Sequence, residues 1–441
     1  MARVGKQVLG VGDVEQGLPS EPLQDLPAER RRPRLRIFES LYIRNFRLFF
    51  VGQAISFTGT WMQAVAQAWL VFQLTNSSTA VGGIFAAQFL PMMLLAPYAG
   101  LVADRVDKRK LLQVVQLVAA VLALCMALAV ASGRPPLWLI YTLALGLGLA
   151  QAFDNPVRQS FIPELVGTAK ATNAVSLNTV MVNMTRIVGP AFAGMLIAGA
   201  GAAICFLVNG MSYLVALGAY AAMRPEELLG SERIPPRRGQ LREALRYILS
   251  TPDLVVPLGM MALVGTLAFN FQVVMPVLVE RVFGRGPDSL GLLIASAGVG
   301  SMAGGLVVAS LPKPRRRHLI GAAYLTGACL GIFALARDYL AATLLAPLLG
   351  AGAAAYIALS NSTLQVNSDP RMRGRVLALF SVAFLGSTPL GSPIVGWIAE
   401  RFGVRASLLV GAFACLIAGA AAALAYRLVA SRSKEALQSP S

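Results

Sequence analysis

The chain has 441 residues, of which 56% are hydrophobic and only 13% charged, and its mean hydropathy is +0.65. A soluble protein carries about 25% charged residues, so this deficit, with repeated apolar runs of roughly 20 residues, excludes a soluble domain and specifies a polytopic membrane protein. The net charge of +17 would suit a nucleic-acid binder, but the basic residues fall in short loops between apolar runs, where they set topology instead.

Residues 1–46 form a polar, basic tail without the apolar core of a signal peptide. Apolar runs broken by Gly, Pro and charge then predict twelve transmembrane helices. The expected spans are 47–73, 79–103, 110–131, 136–158, 172–199 and 201–222, followed by 252–281, 288–311, 318–336, 338–365, 375–400 and 405–429. The longest polar break, 223–251, separates an N-terminal half (47–222) from a C-terminal half (252–430) and holds a short amphipathic stretch, REALRYIL. Residues 431–441 make a second tail. The fold class is therefore all-α, with twelve membrane helices in two pseudo-symmetric six-helix halves.

Of the 38 Lys and Arg, 31 fall in the tails and loops on the side of the N-terminus, six in the alternate loops, and Arg186 inside span 5. That asymmetry predicts that both termini are cytoplasmic, and the protein is expected in the cell (inner) membrane. An offset of 202 residues aligns Leu177, Val180, Gly189 and Gly194 of span 5 with Leu379, Val382, Gly391 and Gly396 of span 11. Such matches predict parallel halves related about an axis along the membrane normal.

Span 1 is the least uniform. Gln53, Ser56, Thr60, Gln63 and Gln67 recur at steps of three and four, which puts them within an arc of roughly 80° on one helix face. Trp61 lies alongside. Span 5 repeats the rhythm with Thr172, Ser176, Thr179, Asn183 and Arg186. Span 7 offers Asn270 and Gln272, and span 10 offers Tyr356, Ser360, Asn361 and Gln365. Polar side chains facing lipid cost several kcal/mol if unpaired, so these faces are expected to turn inward. They either line a central cavity or bond to neighbouring helices, the latter worth about 0.6 kcal/mol each on average.

Two ions lie at unusual depth. Arg186 is roughly 21 Å into span 5 at 1.5 Å per residue, and an ion inside a span marks a candidate functional site. It could attract an anionic group on a substrate, exchange partners as the halves move, or stand as a fixed charge on carbonyls or amides. Asp154 sits near the end of span 4, one turn before Arg158. Its shallow position suits a gate, and a proton-carrying role is the alternative. The cysteines, Cys125, Cys205, Cys329 and Cys415, all lie in apolar runs and read as small hydrophobes, with no metal or cofactor expected. The single His318 follows a basic loop and is expected to be a surface charge.

Between spans 2 and 3 stands GLVADRVDKRK, Gly100 to Lys110. It resembles the signature loop of the major facilitator superfamily, G-x-x-x-D-R-x-G-R-R. Gly100, Asp104, Arg105 and Arg109 match, Lys108 replaces an Arg, and Asp107 replaces the second Gly. Residues 153–166 (FDNPVRQSFIPELV) and 173–194 (NAVSLNTVMVNMTRIVGPAFAG) resemble the branch that contains the enterobactin exporter and related small-molecule secretion carriers. In span 5, Gly189, Pro190 and Gly194 partly match the motif of drug/proton exchangers. The equivalent second-half loop, GGLVVASLPKPRRR, has Ala309 and Ser310 where an acid would stand.

The resemblance implies that spans 1, 4, 7 and 10 line a central cavity and that spans 2, 5, 8 and 11 join the halves. It also implies a gate network of Asp154 and Asp104 with Lys108 or Arg109. The function expected is secondary export of a drug, siderophore or other secondary metabolite by alternating access, with protons exchanged as coupling ion. No nucleotide-binding phosphate loop is present. The partners expected are a small-molecule substrate, the lipid bilayer and a proton, with no nucleic acid, and the working unit is a monomer. Import, or lysophospholipid flipping on the same fold, is the near alternative. A receptor or membrane-embedded enzyme is the distant one, and neither a sensor domain nor a catalytic constellation supports it.

Overall fold

The structure, a computed structural model, describes residues 36–103, 106–230, 240–311, 315–370 and 372–438. The described chain is helical, and no strand occurs among these residues. A short 3₁₀ stretch, Arg36–Tyr42, leads into α1 (Arg44–Thr75). There follow α2 (Ser78–Ala103), α3 (Lys108–Ala131), α4 (Leu137–Val166), α5 (Thr168–Ala200) and α6 (Ala202–Ala221). The polar break contains α7 (Gln240–Leu249). Beyond it come α8 (Pro252–Ala268), α9 (Phe271–Val277), α10 (Pro287–Ala309), α11 (Arg316–Ala334), α12 (Tyr339–Asn367), α13 (Arg373–Phe402) and α14 (Val404–Gln438). The basal end is that at which α1 begins and α14 finishes, and the distal end is the opposite one.

Among the described residues eleven helical spans are long and apolar enough to cross a membrane. The first predicted span is α1, a helix of 32 residues kept out of that set by its polar stripe. Polarity is inverted relative to a soluble bundle: Leu128, Trp138 and Leu344 are exposed, whereas Gln53, Gln63, Gln67 and Asn209 are buried. That is the distribution expected when lipid is the solvent.

Sequence explains the helix ends. Asp107 caps α3 by accepting from the Lys110 amide, and Asp338 caps α12 by accepting from the Ala341 amide at 2.8 Å. Gly201 and Gly403, set 202 residues apart, are single-residue turns with φ of +80° and +90°, a region only glycine enters freely.

Three boundaries differ from the sequence-based expectation. Helix α4 runs on to Val166, because its terminal polar residues are paired rather than solvated. Helix α14 continues through the expected tail to Gln438. Span 7 is broken at Phe269–Asn270, where ψ rises to 23° and 44°, and it ends in a π-helical turn, Leu278–Val282. The Asn270 amide repairs the break by donating to the Thr266 carbonyl at 2.8 Å, while its oxygen accepts from Ser392 at 2.8 Å. That is why no Gly or Pro marks the position.

The two halves meet along two seams, α2 against α13 and α5 against α10, which are the spans that the resemblance pairs. Small residues allow the approach. A Cβ on Gly194 would lie 2.7 Å from the Pro287 carbonyl oxygen, and one on Gly396 would lie 2.5 Å from that of Ser78. The same repeat offset relates Gly189, packed on Trp61 of α1, to Gly391, packed on Thr266 of α8. It also relates Gly148, against the Gln88 carbonyl, to Gly350, against the Ala297 carbonyl. Glycines matched in sequence thus make matched contacts, as pseudo-symmetry requires.

Among the described residues, the hydrogen bonds that join the halves lie at the distal end. The Glu400 carboxylate accepts from the Ser77 hydroxyl at 2.7 Å and from the Thr79 amide at 2.9 Å, capping α2 from the opposite half. Arg281 donates to the Asn76 carbonyl and side-chain oxygens and lies over the Phe72 ring. A Glu400→Ala variant is expected to weaken this seam by about 0.5–1 kcal/mol, since water competes for the exposed carboxylate. Faster labelling of a Val182→Cys thiol by a maleimide supplied at the distal side would register the change. Unaltered labelling would mean that Glu400 does not hold the seam.

Candidate functional site

A cavity of about 280 Å³ opens within the N-terminal half and reaches α9 through Gln272. Gln53, Ser56, Thr60, Trp61, Gln63 and Gln67 of α1 line it, together with Asp154 and Arg158 of α4 and Arg186 of α5. The α1 stripe faces inward, and each of its members has a partner within the bundle. Gln53 bonds the Tyr220 hydroxyl, Ser56 donates to Gln116 at 3.4 Å, and Thr60 meets the Tyr213 hydroxyl at 3.0 Å. Gln63 accepts from Asn209 at 2.6 Å, and Gln67 donates to Gln88 at 3.1 Å. Burying a polar row in an apolar bundle is tolerable on these terms. Each amide or hydroxyl retains further bonding capacity toward the cavity.

The remaining predicted polar residues lie elsewhere. Asn183 spends its amide on the Thr179 carbonyl at 2.9 Å, and Asn270 bridges the break in span 7. Tyr356 is fully buried against Phe269, with a ring separation of 5.9 Å. Asn361 accepts from Gln365 at 2.5 Å along the side of α12. None of these five borders the cavity. Residues not singled out from sequence do: Phe57, Gln88, Phe89, Met92, Gln116, Gln151 and Tyr213. Gln88, the single glutamine of α2, and Gln116 of α3 carried a usable signal, since an amide in an apolar span needs a partner on another helix.

Among the described residues the basal charges make contacts at two levels of the bundle. Asp104 and Arg105 lie outside the described residues, and Gly100 is near the end of α2. Lys108 pairs with Glu164 at the foot of α4. Arg109 donates to the Tyr220 and Ala221 carbonyls at 2.7 and 2.9 Å, closing the end of α6. Asp154 is ten residues above Glu164, about 15 Å along the helix. It is held by Arg158 and Gln116, both at 3.2 Å, rather than by Lys108 or Arg109. Arg158 also lies over the Phe57 ring, 4.5 Å from its centroid. In the second half Asp253, at the start of α8, supplies the acid that the loop lacks and forms a bidentate pair with Arg316 at 2.6 and 2.7 Å.

The other two motif residues of α5 shape its contacts. Gly189 packs on Trp61, and the Pro190 carbonyl oxygen would lie 2.5 Å from a Cβ on Gly291 of α10. The arrangement is thus a partly aromatic, amide-rich cavity beside a seam between two related bundles, and polar contacts join the bundles at the distal end. Among the described residues no cluster of metal-ligating side chains occurs.

Comparison with known proteins gives a consistent picture. A family model described as "Transmembrane secretion effector" matches residues 37–440. The staphyloferrin A transporter of Staphylococcus aureus is 25% identical over 376 residues, covering 81% of this chain and 90% of the relative. The multidrug efflux pump Tap of Mycolicibacterium fortuitum is 25% identical over 384 residues, covering 84% and 93%. Among solved structures, a bacterial homolog of the human lysosomal transporter Spinster, inward-facing and unoccupied, superposes with a TM-score of 0.72. It is 16% identical and covers 88% of this chain and 97% of its own.

Proposed function

Because the chain belongs to the transmembrane secretion effector family of major facilitator superfamily transporters, we propose that it exports a small organic molecule in exchange for protons. It is a multi-pass membrane transporter, and its family and relatives are transporters, not enzymes. The basic residues gathered at the basal end support a cytoplasmic basal face with both termini inside. On that reading the cavity takes cargo from the cytoplasm while Glu400 and Arg281 keep the external face shut.

The observation that carries the reading is the chemistry of the cavity wall. Glutamines, hydroxyls and aromatic rings surround a volume suited to a mid-sized amphipathic molecule. A relative that carries a siderophore and another that expels several drugs are in keeping with such a wall. In each cycle the monomer rocks the half containing 47–222 against that containing 252–430 along the α2–α13 and α5–α10 seams, with 223–251 as the tether. Cargo binding on one face and release on the other follow from differential affinity for the two arrangements. Asp154, set in the cavity wall, is the carboxylate placed to carry the coupling proton.

Accumulation of siderophores, antibiotics and dyes in cells lacking their native pumps, with and without the protein, tests the proposal. Lower intracellular accumulation that a protonophore abolishes is the expected result. Higher accumulation would make the protein an importer, and efflux indifferent to a protonophore would remove the proton from the scheme.

A further inference from the structure

Three ions line the cavity, and two of them neutralise each other: Asp154 and Arg158, 3.2 Å apart. Arg186 is the third. It is exposed to the cavity in the middle of a 33-residue helix, and among the described residues no carboxylate, carbonyl or amide oxygen bonds its guanidinium. Its guanidinium lies instead over the Trp61 ring, with the central carbon 5.0 Å from the ring centroid. Gly189, one turn further on, lets α5 approach so closely that an added Cβ would lie 2.7 Å from the Trp61 Cβ. The backbone contact therefore fixes the ring beneath the cation.

An isolated cation at membrane depth is costly and is kept when something pairs with it. A fixed structural charge would need helix-end carbonyls or amides, and a switching charge would need an acid. The single acid in the cavity wall, Asp154, already accepts from Arg158 and Gln116. The bound molecule itself remains as the source of the counter-charge.

We infer that Arg186 on Trp61 is an anion subsite that receives a carboxylate of the transported molecule, whose apolar, ring-bearing body rests against Trp61 and Phe89. The inference rests on the transport reading of this cavity and adds the charge of the cargo. A guanidinium presents a planar fork of donors that matches a carboxylate, and the ring below holds that plane in place. The neutral amides of α1 can orient many molecules but can neutralise none.

The test uses the purified full-length chain with Cys125→Ala, Cys205→Ala, Cys329→Ala, Cys415→Ala and Val182→Cys. Val182 lines the cavity one turn before Arg186, and N-ethylmaleimide labelling of its thiol reports occupancy. The probes are 1-naphthoate and its neutral counterpart 1-naphthamide. Naphthoate is expected to half-protect the thiol at a concentration about tenfold below that of naphthamide, the ratio that one charge-assisted bond gives. The preference should vanish with Arg186→Gln and be reduced but retained with Arg186→Lys, which keeps the charge and loses the fork. Equal protection by the two probes, no protection by naphthoate, or a preference that survives Arg186→Gln would overturn the inference. The first two outcomes are read without altering Arg186, so misfolding of a variant cannot produce them. Labelling is read at equilibrium without flux, so its failure is distinct from a negative result in the accumulation assay.

Discussion

Replacing Gly291 with leucine is expected to abolish net transport while leaving the protein folded in the membrane. At this position on α10 an added Cβ would lie 2.5 Å from the Pro190 carbonyl oxygen and 2.9 Å from the Gly194 Cα of α5. Both atoms belong to backbone, which cannot rotate away. Overpacking a close contact costs about 1–3 kcal/mol, and here the strain falls on a seam between halves rather than within one. Opening the distal end relieves it. The equilibrium should therefore move roughly 5- to 150-fold toward the distally open arrangement, at 1.4 kcal/mol per tenfold. A Val182→Cys thiol would then be labelled from the distal side by an impermeant maleimide, with little change in thermal unfolding. Transport that survives with unchanged labelling would show that this seam does not have to close.

The Asp154–Arg158 pair should show the opposite pattern, a large effect on stability that a second substitution repairs. Arg158 is 6% exposed, so Asp154→Asn leaves a buried guanidinium without its counter-ion. Breaking such a pair costs about 3–5 kcal/mol, whereas neutralising both partners is often close to neutral. Thermal unfolding in detergent is expected to fall sharply for Asp154→Asn and to recover in the double variant Asp154→Asn/Arg158→Gln. Transport separates the two roles of the acid. If the recovered double variant still exchanges cargo for protons, Asp154 does not carry the proton.

Much of the architecture was legible because lipid forces a simple code on sequence. Runs long enough to cross the bilayer, basic loops on alternate sides and glycines 202 residues apart describe the bundle and its internal repeat. The inward turn of the α1 stripe was legible for the same reason. Its partners were not, since Tyr213, Tyr220 and Asn209 look like ordinary members of an apolar span until α6 is packed on α1. The break in span 7 was hidden because Asn270, not Gly or Pro, resolves it. The polar face of α5 misled in a different way. A hydroxyl or amide can satisfy itself on the carbonyl four residues earlier, as Ser176, Thr179 and Asn183 do. Periodicity does not reveal that local solution.

The dependence of the α1 stripe on later helices bears on how the chain is made. Gln53, Thr60 and Gln63 find their partners on α6, which leaves the ribosome some 150 residues after them. Until then α1 carries unpaired amides and is less hydrophobic than the spans that follow. Insertion machinery that judges each segment by its hydrophobicity would retain it weakly on its own. The polar stripe of α1 thus gains its full set of partners only once α6 has been made.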